Sequence, residues 1–266
     1  MKKILLSATV ILAIGLTACN SQKTTNSETK KEEKMEISNK DKVVALLKSI
    51  ETGAQEPVGY INPNKYIQHN LGVADGLAGF GALLQQLPPN SAKVSTVRAF
   101  EDGDFVFTQT DYNFFGPKIG FDIFRFENGK IVEHWDNLQE TPENPNPSGH
   151  TMIDGTTEIK DINKTEENKT LVKNFVEDIL VNGKMEKLAG YFDGDNYIQH
   201  NPNIANGLSG LGKGNFVLTI SEGSFGDKHT SFYDLFRVEN GKIAEHWDVM
   251  ETITPKDEWK NDNGKF

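Results

Sequence analysis

One thirteen-residue segment occurs twice in the chain and constrains the fold more than any other feature. Residues 124–136 read FRFENGKIVEHWD and residues 236–248 read FRVENGKIAEHWD, so eleven of the thirteen positions agree. Each segment places Asn-Gly between two short runs rich in apolar residues. Asn and Gly accept the positive φ angles of a type I′ turn, so each segment predicts a β-hairpin. The repeat therefore predicts two related units that contain antiparallel sheet.

The repeat extends well beyond the hairpin. The sequence YIQHN occurs at residues 66–70 and again at 197–201, and each time a Gly-rich segment follows. An apolar pattern at helical spacing precedes each of them and ends at a glycine, as a helix does. The period of about a hundred residues predicts two copies of one domain. The first copy is residues 41–141, the linker or packed irregular segment is 142–165, and the second copy is 166–266.

The two copies differ in length between YIQHN and the hairpin. The YIQHN segments lie 131 residues apart, whereas the hairpins lie 112 apart, so the second copy is 19 residues shorter there. In the first copy this interval contains a helical pattern at 80–87 and an alternating strand pattern at 93–100. We therefore expect the second copy to lack about one helix and one strand, which leaves an unpaired sheet edge or a borrowed strand. The first copy should be the more independently stable.

The N-terminus has the features of a secretory signal. Lys2 and Lys3 precede an apolar run over residues 4–16 that is too short to be a confident membrane span. The following Leu-Thr-Ala-Cys19 resembles the lipobox of bacterial lipoproteins, in which the chain is cut before the cysteine and Cys19 receives lipid. The resemblance implies a membrane-anchored protein of the cell envelope, with residues 20–40 as a flexible polar tether. The alternative is an ordinary signal peptide with an incidental cysteine.

Charge, cysteine content and motifs argue against nucleic-acid binding, internal disulfides and a bound cofactor or metal. Without Lys2 and Lys3 the chain has 26 basic and 38 acidic residues, a net charge of −12, which disfavours nucleic acid as a partner. Cys19 is the only cysteine, so no internal disulfide is expected. No cofactor motif is recognisable, and one His with one Asp per hairpin gives too few ligands for a metal site. The tail over residues 255–266 contains Trp259 and Phe266 and is expected to dock on the fold.

The repeated motifs resemble those of a known family. YIQHN, the Gly-Leu that follows it, and D-x-F-R-x-E-N-G-K-I-x-E-H-W-D resemble the SnoaL-like branch of the nuclear transport factor 2-like superfamily over residues 41–254. The resemblance implies an α+β fold in which a curved antiparallel sheet wraps around helices and forms a cone with an apolar pocket. Named relatives are polyketide cyclases, which close a ring by aldol chemistry, and more distantly ketosteroid isomerase. Other members only bind ligands, and a fold does not decide between these functions.

The resemblance also implies an acidic residue on a strand as the acid/base group, with a second polar residue and a donor nearby. The candidate catalytic residues are His69, Asp122, His134 and Asp136 in the first copy and His200, Asp234, His246 and Asp248 in the second. The candidate ligand-binding residues are Tyr66, Phe124 and Trp135 and, in the second copy, Tyr197, Phe236 and Trp247. Packing is the plainer role for both tryptophans.

The register of the hairpin decides which carboxylates share a face. A two-residue turn pairs Phe126 with Ile131, and counting back then pairs Asp122 with Trp135. Strand side chains alternate, so Asp122 and Asp136 would face opposite sides of the sheet, and only a β-bulge would bring them together. His134 shares a face with Asp136, so a purely structural His–Asp pair is the alternative to a catalytic one.

Two function classes remain open from the sequence. The first is a cyclase, aldolase or isomerase acting on a small apolar or carbonyl-containing molecule, which needs a base and a donor for the oxyanion. The second is a non-catalytic carrier or sensor that uses the same pocket. The repeated polar motif favours the enzyme, while the shortening of the second copy favours binding for that copy. The two copies are expected to pack on each other.

Overall fold

Two mostly antiparallel sheets form the centre of the molecule. The computed structural model describes residues 37–203 and 215–266. The first sheet contains β1 (Ile67–Gln68), β2 (Lys93–Asp102), β3 (Phe105–Asn113), β4 (Pro117–Glu127) and β5 (Lys130–Glu140). The second sheet contains β6 (Ile198–Gln199), β7 (Phe216–Phe225), β8 (Lys228–Glu239) and β9 (Lys242–Thr252).

The strand order is β1-β5-β4-β3-β2 in the first sheet and β6-β9-β8-β7 in the second. In each sheet the short first strand pairs in parallel with the last strand, and all other pairs are antiparallel. Within the described residues the second sheet has no counterpart of β2, so β7 lies at its edge. The expected α+β class with two curved sheets, packed helices and a shortened second copy is confirmed. The Gly-rich segment of the second copy lies largely outside the described residues.

Helices pack against one face of each sheet. The first copy contains α1 (Asn39–Thr52) and α2 (Gly76–Gln86), and the second contains α3 (Thr165–Phe175), which continues as a π-helical segment (Val176–Val181). Short 3-10 helices occur at Pro57–Tyr60, Ile162–Lys164, Met185–Tyr191 and Lys256–Glu258. The Ser38 side chain caps α1 by accepting from the Asp41 N–H, and Gly53 ends it with a φ of 69°. None of the helices in residues 37–203 and 215–266 is long and apolar enough to cross a membrane.

The hairpins form as predicted, but their register differs from the predicted one. Asn128 and Gly129 have φ angles of 50° and 73°, as a type I′ turn requires. Phe126 pairs with Ile131 as expected, but the register shifts beyond this pair and Arg125 pairs with Glu133. The shift is a β-bulge that contains one extra residue on β5. The same shift occurs between Arg237 and Val238 in the second copy.

The bulge changes which side chains share a face. Asp122 lies opposite Asp136 and Ile123 lies opposite Trp135, so the pairing of Asp122 with Trp135 expected from an uninterrupted ladder is wrong. In the second copy Asp234 likewise lies opposite Asp248. Residues directly opposite in an antiparallel pair point to the same side of the sheet. Both carboxylates of each copy therefore lie on one face, the face covered by the helices.

The other faces of the two sheets share a buried cluster. Its aromatic members include Phe107 and Phe121 from the first sheet with Tyr233 and Trp247 from the second. The fully buried Asn137 joins the sheets, because its Nδ2 donates to the carbonyls of Ser231 (3.0 Å) and Val249 (2.9 Å). The Ser231 hydroxyl donates in return to Asn137 Oδ1 at 2.8 Å.

Candidate functional site

A cavity of about 230 Å³ lies between the helices and the first sheet. Its apolar walls include Leu46, Leu47 and Ile50 of α1, Phe80 and Leu83 of α2, and Leu138 of β5. Its polar patch consists of Asp122, His134 and Asp136, together with Gln68 and Asn70 of the YIQHN segment. Asp122, His134 and Asp136 are 3%, 8% and 4% exposed. Burial of two carboxylates and an imidazole is costly unless hydrogen bonds and shared protons compensate.

The proton on His134 is placed by its neighbours. Gln68 Oε1 accepts the Asn70 backbone N–H at 2.8 Å, which identifies this atom as the amide oxygen. His134 Nδ1 lies 3.0 Å from the same oxygen and therefore donates to it. In the neutral imidazole the lone pair is then on Nε2, which lies 3.3 Å from Asp122 Oδ1. Two acceptors that face each other in a buried site require a shared proton.

Asp122 and His134 therefore hold one proton between them. Burial raises the pKa of Asp122, against the opposing hydrogen bond and charge of His134. The second oxygen of Asp122, Oδ2, accepts the Tyr112 hydroxyl at 2.8 Å. Burial and the nearby Asp122 raise the pKa of Tyr112, so Tyr112 remains a hydroxyl donor. Tyr112 fits over Gly120, where a Cβ would lie only 2.5 Å from its ring.

The two carboxylate oxygens of Asp136 differ in their hydrogen bonding. Asn70 Nδ2 donates to Asp136 Oδ2 at 2.6 Å, and the Asn70 amide is itself oriented because its Oδ1 accepts the Gly72 N–H at 2.8 Å. Asp136 Oδ1 is buried and has no hydrogen-bond partner among the residues that the structure describes. A buried acceptor without a partner is unusual in a folded protein and requires an explanation. Here the residue lines a cavity in which a ligand can supply the missing donor.

The second copy repeats the same arrangement. His246 Nδ1 lies 2.8 Å from Gln199 Oε1, and its Nε2 lies 3.1 Å from Asp234 Oδ1. Asn201 Nδ2 donates to Asp248 Oδ2 at 2.6 Å, while Asp248 Oδ1 has no hydrogen-bond partner within residues 37–203 and 215–266. Burial raises the pKa of Asp234 to about 7 and that of Asp248 to about 6. Burial lowers the pKa of His246 to about 4.

The copies differ at the tyrosine donor. Aligning the strand pairs places Gly223 of β7 at the position of Tyr112, and Phe232 of β8 at the position of Gly120. In the first copy the aromatic residue is on β3 and the glycine is on β4, whereas in the second copy the glycine is on β7 and the aromatic residue is on β8. Phe232 accordingly lies over Gly223. Gly223 therefore cannot donate to Asp234 as Tyr112 donates to Asp122.

The structure places His69 and His200 on the faces of their strands opposite to the candidate carboxylates Asp122, Asp136, Asp234 and Asp248. His69 stacks on Trp135 with ring centroids 4.7 Å apart, and its Nε2 lies 3.0 Å from Glu133 Oε1. His200 stacks in the same way on Trp247, at 4.6 Å. The reason is strand alternation: Gln68 pairs with His134 and faces the cavity, so the next residue faces the opposite side. The expected convergence of His69 with Asp122 and Asp136 is therefore wrong.

Gln68 and Asn70 are the site residues that the sequence reasoning missed. They are the two polar residues of YIQHN spaced two apart, and this alternation was the available signal. Their counterparts Gln199 and Asn201 orient the second site in the same way.

Some of the aromatic candidates lie beside the site residues, and others lie on the opposite face or in the hydrophobic cores. Phe124 lines the cavity and stacks on His134 at 4.5 Å, and Phe236 stacks on His246 at 3.8 Å. Trp135 lies on the opposite face of its strand, and the fully buried Trp247 donates from Nε1 to the Asp154 carbonyl at 2.9 Å. Tyr66 and Tyr197 are buried in the two hydrophobic cores. Cys19, the candidate lipidation site, lies outside the described residues.

The bulge also assembles a possible metal-ligand set that the hairpin spacing did not predict. Asp122, His134 and Asp136 each offer a ligand atom, and these atoms lie within 4.8 Å of one another. His150, Asp154 and His200 form a second such group. In the first group the Lys265 ammonium lies 3.8 Å from Asp136 Oδ1 and would repel a metal cation. The cavity group is therefore better suited to holding a proton than a metal.

Comparison with known proteins identifies similar structures only. No family model matches the chain, and no curated protein matches it. An NTF2-like protein of unknown function from Cytophaga hutchinsonii is similar at 17% identity and a TM-score of 0.35, over 40% of this chain and 94% of that chain. A candidate polyketide cyclase from Bacillus cereus is similar at 21% identity and a TM-score of 0.32, over 37% and 70%. A candidate ketosteroid isomerase from Kribbella flavida is similar at 16% identity and a TM-score of 0.33, over 40% and 84%.

Proposed function

We propose that the cavity of the first copy binds a compact, largely apolar molecule with a carbonyl group and transfers a proton to or from it. The observation that carries this proposal is Asp136 Oδ1, which has no hydrogen-bond partner among the described residues and lies at a largely apolar cavity, beside the proton shared by Asp122 and His134. The cavity volume of about 230 Å³ is below the roughly 300–1,000 Å³ of pockets for drug-sized ligands, which favours a small ligand.

The two acidic groups have different roles in this proposal. Asp136 Oδ1 acts as the base that removes a proton next to the carbonyl, because it is the oxygen without a hydrogen bond. The proton held by Asp122 and His134 is donated to the oxyanion that develops on the carbonyl oxygen. Asn70 and Gln68 orient these groups and do not exchange protons themselves. Enolisation of this kind is the first step of both aldol closure and isomerisation.

The test does not require the natural substrate. Small cyclic ketones are incubated with the protein in D₂O, and exchange of the protons next to the carbonyl is followed by NMR. We expect exchange above the buffer rate, and a decrease of ~10²–10⁴-fold in Asp136→Asn, which keeps the shape but removes the base. Asp195→Asn changes an exposed carboxyl group and is the matched control. Exchange that is unchanged in Asp136→Asn contradicts the proposal.

A non-catalytic carrier or sensor is the second candidate, favoured by Gly223 at the position that Tyr112 occupies in the first copy. Incubation of the purified protein with a metabolite extract, followed by mass spectrometry of what stays bound, tests this alternative. A retained ligand without any ketone exchange supports the carrier.

The proposal includes location and assembly. Because Cys19 follows Leu-Thr-Ala, we propose that the chain is a lipoprotein of the cell envelope whose two copies work as one packed pair. Cys19→Ala should leave the protein soluble or uncleaved. A variant that still fractionates with membranes as a processed, lipid-labelled species contradicts this.

A further inference from the structure

The C-terminal segment of the second copy, residues 260–265, docks on the YIQHN loop of the first copy, residues 66–75. The Lys260 N–H donates to the Leu71 carbonyl at 2.8 Å. Asn261 Nδ2 donates to the carbonyls of Asn70 and Val73 at 2.8 and 2.9 Å. The docking that was expected of this tail thus occurs through asparagines, whereas Phe266 is 40% exposed.

Two further residues of the segment hold the same loop. Asn263 Nδ2 donates to the Gln68 carbonyl at 2.9 Å and to Asp75 Oδ1 at 2.7 Å. The Gly264 carbonyl lies 3.0 Å from His69 Nδ1. This loop contains Gln68 and Asn70, whose side chains orient His134 and Asp136. The C-terminal segment therefore supports the residues that set the geometry of the first site.

The segment also brings a buried charge to the site. The side chain of Lys265 is 2% exposed, and its Nζ lies 3.0 Å from Glu251 Oε1 and 3.8 Å from Asp136 Oδ1. Glu251 is held in turn, because its Oε2 accepts the Leu138 N–H at 2.7 Å. A buried ammonium requires a negative partner, and Lys265 has two of them. One cation thus lies between a carboxylate of the cavity and a carboxylate of β9.

The second copy has an equivalent docking segment without the lysine. Asn146 Nδ2 donates to the carbonyls of Gln199 and Asn201, and the Thr151 carbonyl lies 3.0 Å from His200 Nδ1. This segment follows the hairpin of the first copy, as the C-terminal segment follows that of the second. For residues 37–203 and 215–266, no Lys or Arg forms an ion pair with Asp248, the counterpart of Asp136.

We propose that Lys265 is a positioning residue of the first site, which the C-terminal segment places beside Asp136 to balance its negative charge in the apolar cavity. The proposal deepens the proposed function and rests on it for catalysis, but the charge pairing is measurable without any activity. The Lys265 ammonium forms ion pairs with Asp136 and Glu251. Asp122, His134 and Lys118 line the cavity with Asp136, and the Tyr233 hydroxyl is affected by both Asp136 and Glu251. On the outer side, Glu222, His229 and Lys256 line a pocket together with Lys265. Burial raises the pKa of Glu251, and the charge of Lys265 opposes this increase.

The experiment is a double-mutant cycle on the full chain with Lys265→Met, Asp136→Asn and both together, measured by thermal unfolding at pH 5 and pH 8. We expect Lys265→Met to lower the Tm more at pH 8 than at pH 5, because protonation at low pH relieves the unpaired carboxylates. We expect Asp136→Asn to recover part of that loss in the double variant. If Lys265→Met only removed side-chain packing, its Tm change would not depend on pH and Asp136→Asn would not recover it.

The proposal is overturned if, at pH 8, the Tm change of the double variant equals the sum of the changes of the two single variants.

Ketone exchange provides the second measurement. Lys265→Met is expected to lower the exchange rate by roughly 10–100-fold, as the removal of a charge about 4 Å away implies, and Lys265→Arg should restore part of it. If Lys265→Met does not fold, Lys265→Arg and Lys265→Gln are compared in the same cycle. Coupling in the cycle without ketone exchange in the wild type rejects the proposed reaction and keeps the charge pairing. Ketone exchange without coupling rejects the role of Lys265 and keeps the reaction.

Discussion

Asp122 lies directly opposite Asp136 across β4 and β5, so two buried carboxylates face one cavity from adjacent strands. Their like charges disfavour simultaneous ionisation, and the nearness of Asp136 contributes to the raised pKa of Asp122 after the larger effect of burial. The pair can therefore provide one protonated and one ionised carboxyl group within the same site. This difference is what a reaction that removes and donates protons requires.

The first prediction separates the contribution of the Asp122 hydrogen bonds to stability from the contribution of its titratable proton to the reaction. In Asp122→Asn the amide can still donate to His134 Nε2 and accept from the Tyr112 and Thr108 hydroxyls, so all three side-chain hydrogen bonds of the wild type persist. We expect unfolding at pH 8 to require at least as much urea as for the wild type, because a buried ionisable group has been removed. Ketone exchange should fall at the same time. In Asp122→Ala all three hydrogen bonds are lost, and the unfolding midpoint should decrease instead.

The second prediction concerns the tyrosine donor, and the chain provides its own control. Tyr112→Phe removes the hydroxyl that donates to Asp122 Oδ2 and should destabilise the fold by about 1–3 kcal/mol in urea unfolding. Tyr233→Phe removes a buried hydroxyl without a hydrogen-bond partner in the described part of the chain. That change should be neutral or stabilising. Equal losses in the two variants would contradict the role assigned to Tyr112.

The sequence predicted the hairpins but not the faces of their side chains. Asn-Gly identifies the turn because few other dipeptides accept two positive φ angles, and that part is confirmed at Asn128 and Gly129. The bulge beyond Phe126 contains no glycine and has no local sequence signal. The register counted from the turn therefore placed the β5 side chains on the wrong face of the sheet relative to those of β4. That Asp122 and Asp136 face the same cavity therefore could not be predicted from the sequence.

The YIQHN segment shows a second limit of sequence reasoning. Recurrence of the whole segment drew attention to the histidine, the residue type with the most versatile chemistry. Which of its residues face the cavity depends on the parallel pairing of β1 with β5, a contact between distant parts of the chain. The position of Lys265 depends on a contact of the same kind.

The third prediction concerns the pH dependence of stability in the second copy. Burial raises the pKa of Asp234 to about 7, so the folded state holds this proton more tightly than the unfolded chain. This contribution is full below about pH 4 and is lost as the pH rises to about 7. The lowered pKa of His246, about 4, acts in the opposite direction, and its contribution is lost as the pH falls from about 6.5 to 4.

The two effects are separable by substitution. Between pH 6.5 and 7.5 the loss from Asp234 is larger than the remaining gain from His246, so the wild type should lose stability as the pH rises through this range. Asp234→Asn should flatten that slope, because its amide no longer titrates but can still donate to His246 Nε2. Urea unfolding at pH 5, 6, 7 and 8 measures the slope. The same slope in the variant would show that Asp234 does not titrate there.

The fourth prediction tests the contact between the sheets. Asn137→Ala removes two donors and one acceptor at a fully buried position and leaves the Ser231 hydroxyl and two carbonyls without these partners. We expect a loss of about 2–4 kcal/mol in the free energy of unfolding. Asn144→Ala, in the exposed part of the linker, is the matched control and should change stability by less than about 0.5 kcal/mol.

The last prediction concerns the independence of the two copies. The sequence predicted that the first copy would be the more independently stable. The docking segments change this expectation, because the first copy obtains Asn261, Asn263 and Lys265 from the far end of the chain. The second copy obtains Asn146 from the linker. We therefore expect neither residues 41–141 nor residues 166–266 to unfold cooperatively alone.

Fragments cut at residue 141 instead of within the linker should behave differently when mixed. Residues 142–266 retain the segment that docks on their own YIQHN loop, and they also supply the segment that the first copy lacks. We expect an equimolar mixture of 37–141 and 142–266 to show one cooperative thermal transition whose midpoint rises with concentration, as mass action requires. The same mixture with Asn261→Ala and Asn263→Ala should associate more weakly. A concentration-independent transition for residues 37–141 alone would show that the first copy does not need the C-terminal segment to fold.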